Sequence, residues 1–326
     1  MRIRPSRWAA VAALGALAVT ACGSGSTKGS EHPLTGLPMA ANDPAARRPA
    51  LFVKVDNAFE ARPQTGIEKA DIVYEELVEA GITRFAAIFQ STDLGEVGPV
   101  RSVRPVDPAL AAPLHGVAVF SGGIPAFVSQ LAAVAQNLSA EQIGERPPYR
   151  RSRDRTAPHN LYVGAGGLWK LAQPPYNTPP APVFAYGSLP SSGTKPAASA
   201  KMSFDPHNTI AWRWDGSVWR RSQNGRPFAV TGSASIGPAN VLVQVVQVRP
   251  TQYVDVVGNS VTESVVTGTG SGVLLRNGTA TDVTWSKPDQ DSATSLTEAS
   301  GNEVTLAPGS TWVELVPAGQ PVTVTP

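Results

Sequence analysis

The position of its single cysteine, Cys22, constrains this chain more than any other feature. Cys22 follows an apolar run from Trp8 to Val19, and three arginines precede that run. A basic start, a short apolar stretch and small residues at its end are typical of a secretory signal. The run is too short for a membrane-spanning helix, which needs about 20 apolar residues. We therefore predict that residues 1–21 are a cleaved signal peptide and that the mature chain folds without disulfides.

The four residues that end at this cysteine, Val19-Thr20-Ala21-Cys22, resemble a bacterial lipobox. The resemblance implies cleavage before Cys22, diacylglycerol on its sulfur, and a further acyl chain such as palmitate on the new amine. Two or more acyl chains anchor a protein firmly, whereas one does not. We expect the membrane to be a partner through Cys22, with the body on the extracytoplasmic face. The alternative is an ordinary signal peptide with a chance cysteine.

The charge of the mature chain is close to zero. The full sequence has 27 basic and 25 acidic residues, and loss of the arginines at positions 2, 4 and 7 leaves 24 basic residues and a net charge of −1. A nearly neutral mature chain without a basic tail gives no general case for nucleic-acid binding. The four histidines are scattered and no paired-cysteine spacing exists, so we expect no metal and no cofactor.

Composition shifts divide the chain into four parts. Residues 22–45 are rich in small residues and predict a lipidated flexible tether. Residues 46–175 predict an N-terminal α/β domain, and residues 181–326 a mainly antiparallel β domain. The fold class is therefore α+β. A stretch rich in Pro, Ser and Ala, residues 172–200, marks the boundary, with a strand expected at Val183–Tyr186.

Several elements of the first domain follow from local pattern. Ile72–Glu79 and Ile82–Phe89 predict two strands around Ala80-Gly81, although one helix over Glu68–Glu79 also fits the spacing. Asp107-Pro108 predicts a capped helix start. After a strand at Val117–Phe120 and a glycine turn, apolar residues at helical spacing predict the clearest helix of the chain, beginning near Ile124.

The second domain shows only strand patterns. A hairpin is expected around Asp215-Gly216-Ser217, and Val241–Val248 predicts a strand that is buried on both faces. Further strands are expected at positions separated by glycine-containing turns, namely Gly272–Leu275, Thr281–Trp285, Val304–Leu306 and Trp312–Val316.

Several motifs resemble one known family. They are Ala61-Arg62-Pro63-Gln64-Thr65-Gly66, Ala70-Asp71-Ile72-Val73-Tyr74-Glu75, Gly81-Ile82-Thr83-Arg84-Phe85, Gly98-Pro99-Val100-Arg101-Ser102-Val103-Arg104-Pro105, Pro158-His159-Asn160-Leu161-Tyr162, Asn240-Val241-Leu242-Val243-Gln244, Gly268-Thr269-Gly270-Ser271-Gly272 and Pro308-Gly309-Ser310-Thr311-Trp312. Together they are similar to the YerB-like bacterial lipoproteins, which pair N- and C-terminal domains of unknown function. The resemblance covers nearly all of the mature chain. It implies an envelope lipoprotein and supplies no activity.

A candidate anion site is expected at the turn between the strand predicted at Val117–Phe120 and the clearest helix. N–H groups of Ser121, Gly122 and Gly123 and the helix dipole favour a negative charge. Guanidinium groups suit phosphate and carboxylate ligands, and neighbouring elements supply several candidates: Arg84, Arg101 and Arg104, with His159 and Asn160 completing the pocket. In the alternative interpretation, the glycines only make a turn and the arginines pair with Glu75, Glu79 and Asp71.

A second candidate surface is a glycan platform made by Trp212 and Trp214, which share one strand face; core packing is the alternative. No catalytic motif stands out. We expect a lipoprotein that binds cell-wall material or an envelope protein. The alternatives are a hydrolase or transferase that acts on an anionic wall precursor, and a small-ligand receptor with its site between the domains.

Overall fold

The computed structural model describes residue 1 and residues 30–144, 146–188, 193–232 and 235–326. Cys22 and nearly all of the predicted signal peptide lie outside the described residues. The first half of the described chain alternates strands with short helices: β1 Leu51–Asp56, β2 Ile72–Leu77, β3 Thr83–Phe89, β4 Glu96–Val97, α1 Asp107–Ala111, β5 Val117–Val119, α2 Pro125–Ala132, β6 Gln136–Asn137, α3 Ala140–Ile143, β7 Tyr149–Arg151 and β8 Leu161–Gly164.

The second half contains only strands among its described residues: β9 Thr194–Pro196, β10 Ser199–Asp205, β11 Asn208–Trp214, β12 Trp219–Gln223, β13 Arg226–Pro227, β14 Asn240–Val254, β15 Ser260–Val265, β16 Gly268–Arg276, β17 Thr279–Lys287, β18 Ser295–Thr297, β19 Thr311–Pro317 and β20 Val322–Thr325. Short 3₁₀ segments occur at Pro44–Arg47, Phe59–Ala61, Ile67–Lys69, Glu79–Gly81, Ala112–Leu114 and Ala165–Leu171. The fold class is α+β, with an α/β first half and a mainly antiparallel β second half.

A mixed sheet of 12 strands runs through both halves of the described chain. Its main order is β18-β17-β16-β14-β19-β2-β3-β1-β5-β6, with β15 beside β14 and β9 beside β17. The halves join where β19 pairs in parallel with β2, in a register that places Thr311 opposite Ile72 and Glu314 opposite Glu75. The boundary along the chain is therefore not a boundary between sheets.

The central strands are buried on both faces, which explains their nearly continuous apolar sequences. On one face, a five-stranded sheet of order β13-β12-β11-β10-β20 packs Trp212 and Trp219 against Phe85 and Trp312. On the other face, α1 and α2 pack against the sheet through residues such as Leu110 and Phe127. A small sheet of order β4-β8-β7 completes the first half.

Most of the predicted elements are present. The hairpin interpretation of Ile72–Phe89 is confirmed, because β2 and β3 pair antiparallel around the turn Glu79–Gly81, and the alternative helix is wrong. The predicted helix after the glycine turn is α2. Asp107 does begin α1, but its side chain makes no capping hydrogen bond. It turns inward and accepts a hydrogen bond from Lys54.

Two predicted strands, Val183–Tyr186 and Val304–Leu306, are absent. These segments instead meet at one isolated parallel bridge, between Tyr186 and Leu306. The N–H of Val304 also donates to the carbonyl oxygen of Leu296 in β18 over 2.8 Å, but neither segment extends into a ladder. The segment Val183–Tyr186, near the predicted domain boundary, is therefore an extended connection that contacts the second half at Leu306.

The predicted tether is wrong for residues 30–45, which pack on the folded body. Leu34 has no exposed surface, and its carbonyl oxygen accepts a hydrogen bond from the hydroxyl of Tyr186. The N–H of Gly309 donates to the carbonyl oxygen of Thr35 over 2.8 Å. Residues 22–29 lie outside the described residues. Within the described chain, no helix combines the length and the apolar character that crossing a bilayer requires.

We expect Trp312→Ala to destabilise both halves together. Trp312 lies in β19, is 3% exposed and makes edge-to-face contacts with the rings of Phe85, Trp212 and Phe228. Truncating a buried aromatic side chain typically lowers the free energy of unfolding by about 3–5 kcal/mol. Urea unfolding followed by circular dichroism measures the loss. The exposed substitution Lys201→Ala is the control, and a loss no larger than that of the control would contradict the packing role.

Candidate anion-binding cleft

A cavity of about 600 Å³ opens at one edge of the central sheet. Strands β5, β1, β2, β19 and β14 all run in the same direction, so their carboxyl ends meet at this edge. Ligand sites in sheets with parallel strands commonly lie outside such ends, and pockets of this volume accommodate small organic ligands. We call this cavity the arginine cleft, because Arg84, Arg101 and Arg104 line it.

Both halves of the chain form the arginine cleft. The first half contributes the turn after β2, the start of β3, the loop before α1 and the glycine turn before α2. The second half contributes the hairpin that connects β14 to β15, residues 254–261. The parallel pairing of β2 with β19 brings these segments together, because it aligns the ends of the two groups of strands.

Two of the three arginines form ion pairs with buried carboxylates. Arg104 donates two hydrogen bonds to Oε2 of Glu79, from Nε over 2.9 Å and from Nη2 over 2.7 Å. Arg101 places Nε 3.1 Å from Oδ2 of Asp56, which is 1% exposed. Arg101 and Arg104 are therefore paired internally, as the alternative interpretation of the sequence expected. Glu79 was among the expected partners, whereas Asp56 was not.

Arg84 differs from its two neighbours. Its Nη1 donates to the carbonyl oxygen of Ser102 over 3.1 Å, and its buried Nε has no hydrogen-bond partner. Among the described residues no carboxylate forms an ion pair with it, yet the residue is only 5% exposed. Burial, followed by repulsion from Arg104 and Arg101, lowers the pKa of the Arg84 guanidinium to about 10. The side chain therefore stays charged at neutral pH, in a place where an unpaired charge is unfavourable.

The glycine turn lies against the arginine loop. The N–H of Val103 donates to the carbonyl oxygen of Gly122 over 3.2 Å. Gly122 has a φ of +81°, and a Cβ there would come within 2.8 Å of Oγ of Ser102. A side chain at Gly123 would meet Cγ2 of Val103 at 2.5 Å. The glycines thus allow the turn and the loop to approach closely at the start of α2, whose dipole favours negative charge.

His159 reaches the cleft only through Asp56. Its Nδ1 lies 2.8 Å from Oδ2 of Asp56, the same oxygen that faces Arg101. The other carboxylate oxygen accepts from the backbone N–H of Ala58 over 3.0 Å. The imidazole is therefore oriented by a buried carboxylate that also faces Arg101, and neither Asp56 nor His159 lines the cavity itself.

Four other predicted site residues lie away from the cleft. Ser121 donates its hydroxyl to Glu141 over 2.9 Å. Asn160 donates to the carbonyl oxygens of Ser152 and Arg155 and so holds its own loop. Trp212 has no exposed surface and donates its indole N–H to Glu314 over 2.7 Å, whereas Trp214 is half-buried and packs against the ring of Trp219. Trp212 is thus a core residue, and the glycan platform is wrong for it because its ring has no accessible face.

Sequence reasoning missed the apolar wall of the cleft. Three valines of the β14–β15 hairpin, Val254, Val256 and Val257, are 61%, 103% and 77% exposed and line the cavity. Turns usually carry small polar residues, so three valines within four positions were the available signal. Ile82 and Ile124 extend this wall on the side of the first half.

A buried charge network lies beneath the cleft. Lys54, which has no exposed surface, donates to Asp107 over 2.7 Å and also pairs with Glu76. The other oxygen of Asp107 accepts the backbone N–H of Arg104 over 2.6 Å, which fixes the arginine loop. Burial, followed by repulsion from Asp107, raises the pKa of Glu76 to about 7.

The fold and the cleft define a two-part α+β protein with a ligand-sized cavity formed by both halves. Two family models match the chain: "Protein of unknown function (DUF3048) N-terminal domain" over residues 34–175, and the corresponding C-terminal domain over residues 200–313. The chain therefore belongs to this YerB-like family.

Two comparisons with individual proteins agree with this assignment. The chain is 28% identical over 298 residues to a protein described as "Putative lipoprotein YerB" from Bacillus subtilis (strain 168), covering 87% of this chain and 86% of that protein. The crystal structure of YerB protein from Bacillus subtilis superimposes with a TM-score of 0.75 at 25% identity, covering 90% of this chain and 99% of that one.

We expect Glu76→Gln to change how stability depends on pH. An acid whose pKa is raised on folding stabilises the fold below its unfolded pKa of 4.5 and loses that contribution as pH rises towards 7. The amide of the variant stays neutral throughout this range. The free energy of unfolding of the variant, relative to wild type, should therefore increase by up to about 3 kcal/mol between pH 4.5 and pH 8. Urea unfolding across this range tests it, with the exposed Glu68→Gln as control. Parallel curves for wild type and Glu76→Gln would contradict it.

We expect substitution by Met to have different effects on stability at Arg84 and at Arg104. Arg104→Met leaves Glu79 buried without its cation, which typically lowers the free energy of unfolding by about 3–5 kcal/mol. Arg84→Met removes a buried charge that has no acidic partner, so the unliganded protein should keep or gain stability. Thermal unfolding in a buffer without polyvalent anions compares the two variants. An equal loss of stability in both would show that Arg84 is paired internally.

Proposed function

We propose that this protein is a lipoprotein, anchored to the membrane through Cys22, whose body binds a small anionic ligand in the arginine cleft. The sequence that ends at Cys22 and the relative described as a putative lipoprotein support the anchor. The same signal sequence supports an extracytoplasmic position for the body. Residues 30–45 lie on the body, so only residues 22–29 remain to connect it to the lipid.

One observation carries the proposal of an anion site. Arg84 is a buried guanidinium in the wall of an open cavity, and no described carboxylate forms an ion pair with it, although Asp56 and Glu79 act on it from a greater distance. A buried charge is normally paired, because leaving it unpaired is costly. An anion in the cleft would supply the missing partner for the guanidinium group of Arg84, which lines the cavity.

The shared construction of the cleft favours a ligand receptor over the other functions considered from sequence. The N-terminal half supplies the cations and the glycine turn, and the C-terminal half supplies the hairpin wall. A ligand in this position would touch both halves. A binding site for wall glycans on the tryptophan face has less support, because Trp212 is inaccessible.

An enzyme is the second candidate, and the contact between Asp56 and His159 favours it. A carboxylate at 2.8 Å from Nδ1 orients the imidazole, as expected of a general base. A hydrolase or transferase acting on an anionic wall precursor would hold its substrate on the three arginines. Turnover of phosphate esters by the wild-type protein that is lost in His159→Gln would support this role. Binding without turnover would leave the receptor role.

Calorimetry with inorganic phosphate and pyrophosphate tests the anion site directly. The mature chain with Cys22→Ser, which carries no lipid, should bind pyrophosphate more tightly than phosphate at fixed ionic strength. Arg84→Met should weaken binding at least about ten-fold, since hydrogen bonds to charged groups contribute about 1.5–3 kcal/mol.

Arg249→Met is the matched control, because Arg249 is exposed and already pairs with Glu263 over 2.9 Å. It removes the same charge from outside the cleft. Equal affinities in Arg84→Met and in Arg249→Met would show that any anion binding is nonspecific, and the proposed function would fail.

A further inference from the structure

We infer that the ligand of the arginine cleft is a single lipid phosphate, a molecule with a phosphate monoester head and an apolar chain. This inference rests on the proposed anion site and adds the nature of the rest of the ligand. Its basis is that the cleft joins two different surfaces. One end holds the three guanidinium groups, and the hairpin end presents exposed valines.

The valines of the hairpin are poorly explained as part of the fold. Val254, Val256 and Val257 keep most of their surface exposed to solvent, and no described residue covers them. Val261, at the start of the returning strand, is 1% exposed and belongs to the core. The three valines at this apolar tip therefore contribute little to the packing of the hairpin itself. Clustered exposed apolar residues commonly mark a binding surface.

Hydrogen bonds within the turn hold this apolar tip in shape. The carboxylate of Asp255 accepts from the N–H of Val257 over 2.9 Å and from the N–H of Asn259 over 2.8 Å. It also accepts from the side-chain amide of Asn259 over 3.0 Å. Its oxygens are thus occupied within the turn, although the residue lines the cleft.

The base of the hairpin is fixed to the helix that follows the glycine turn. The ring of Tyr253 packs edge-to-face on Phe127 of α2, with centroids 5.0 Å apart. The hairpin therefore stands beside the turn that carries Gly122 and Gly123. This packing keeps the valine wall and the cationic end in one continuous cavity.

Charge and polarity together select the ligand. Arg84 lacks an anionic partner, and the side chains of Ile82 and Ile124 continue the valine wall from the other side. A hydrophilic anion would satisfy the guanidinium and leave the wall exposed to water. A neutral lipid would cover the wall and leave Arg84 unpaired. A phosphate on an alkyl or prenyl chain satisfies both.

Alkyl phosphates of different lengths test this inference. The mature Cys22→Ser chain is titrated with butyl phosphate and with octyl phosphate, both below their micelle-forming concentrations. Each fully buried methylene increases affinity by about four-fold. We expect octyl phosphate to bind at least about ten-fold tighter than butyl phosphate. Equal affinities would overturn the inference and leave anion binding intact, whereas no binding of either ester would remove the proposed function itself.

Two substitutions in the hairpin test where the alkyl chain of the ligand binds. The double variant Val256→Ser and Val257→Ser should abolish the gain between butyl and octyl phosphate and keep the affinity for butyl phosphate. The control is Leu171→Ser, because Leu171 is an apolar residue, 41% exposed, that does not line the cleft. If octyl phosphate still bound the double variant more tightly than butyl phosphate by the same factor, the alkyl chain would bind elsewhere, and the inference would be overturned.

A vesicle assay distinguishes a bound lipid from contact with a bilayer. Sedimentation with phosphatidylcholine vesicles and with phosphatidylglycerol vesicles should show no difference between wild type and the double variant. A loss of vesicle binding in the double variant, without a loss of the octyl phosphate gain, would show that the tip is a membrane contact. That outcome would overturn the single-lipid inference.

Discussion

The parallel pairing of β2 with β19 is the interaction on which the rest of the structure depends. It connects strands that lie more than 200 residues apart in the sequence and makes one sheet from two halves. Because both strands run in the same direction, the loops that follow β2 and β14 arise at the same edge. The cleft exists only because these loops meet there, and neither half alone contains both its cations and its valine wall.

The basic residues in and beneath the cleft differ in how far acidic partners neutralise them. Beneath it, the side chain of Lys54 lies between the buried carboxylates of Glu76 and Asp107. Asp107 and the backbone of Lys54 fix the arginine loop, because they accept the backbone N–H groups of Arg104 and Arg101, respectively. In its wall, Arg101 and Arg104 have acidic partners. Arg84 alone among these three has none, and its pKa is lowered by burial and by its two neighbours. Protein interiors normally avoid such a group, and sites that bind charged ligands are where it is tolerated.

Local patterns in the sequence predicted most of the secondary structure and part of the site. The apolar runs of β3, β5 and β14 and the helical spacing of α2 depend on neighbours within a few residues, so they could be recognised from the sequence. The arginines and the glycine turn were expected to converge because they lie on neighbouring predicted elements. The fate of Trp212 was not predictable, since a strand face that packs on a core and one that binds a sugar have the same pattern.

Other features depended on distant partners. Residues 30–45 contact residues that are distant in the sequence, as Leu34 contacts Tyr186. Their composition gives no sign of these contacts and therefore suggested a tether. The role of the β14–β15 hairpin follows from the pairing that places it beside α2, which no local signal encodes. The pairing of Arg101 with Asp56 likewise joins residues whose proximity arises from the sheet.

A crystal structure of the mature protein soaked with tungstate would show whether the arginine cleft binds an anion at Arg84. Tungstate resembles phosphate in shape and charge, and its anomalous scattering locates it without ambiguity. We expect an anomalous peak in the cleft within hydrogen-bonding distance of the guanidinium of Arg84. A cleft without a peak, with Arg84 paired instead to a carboxylate of the protein, would contradict it.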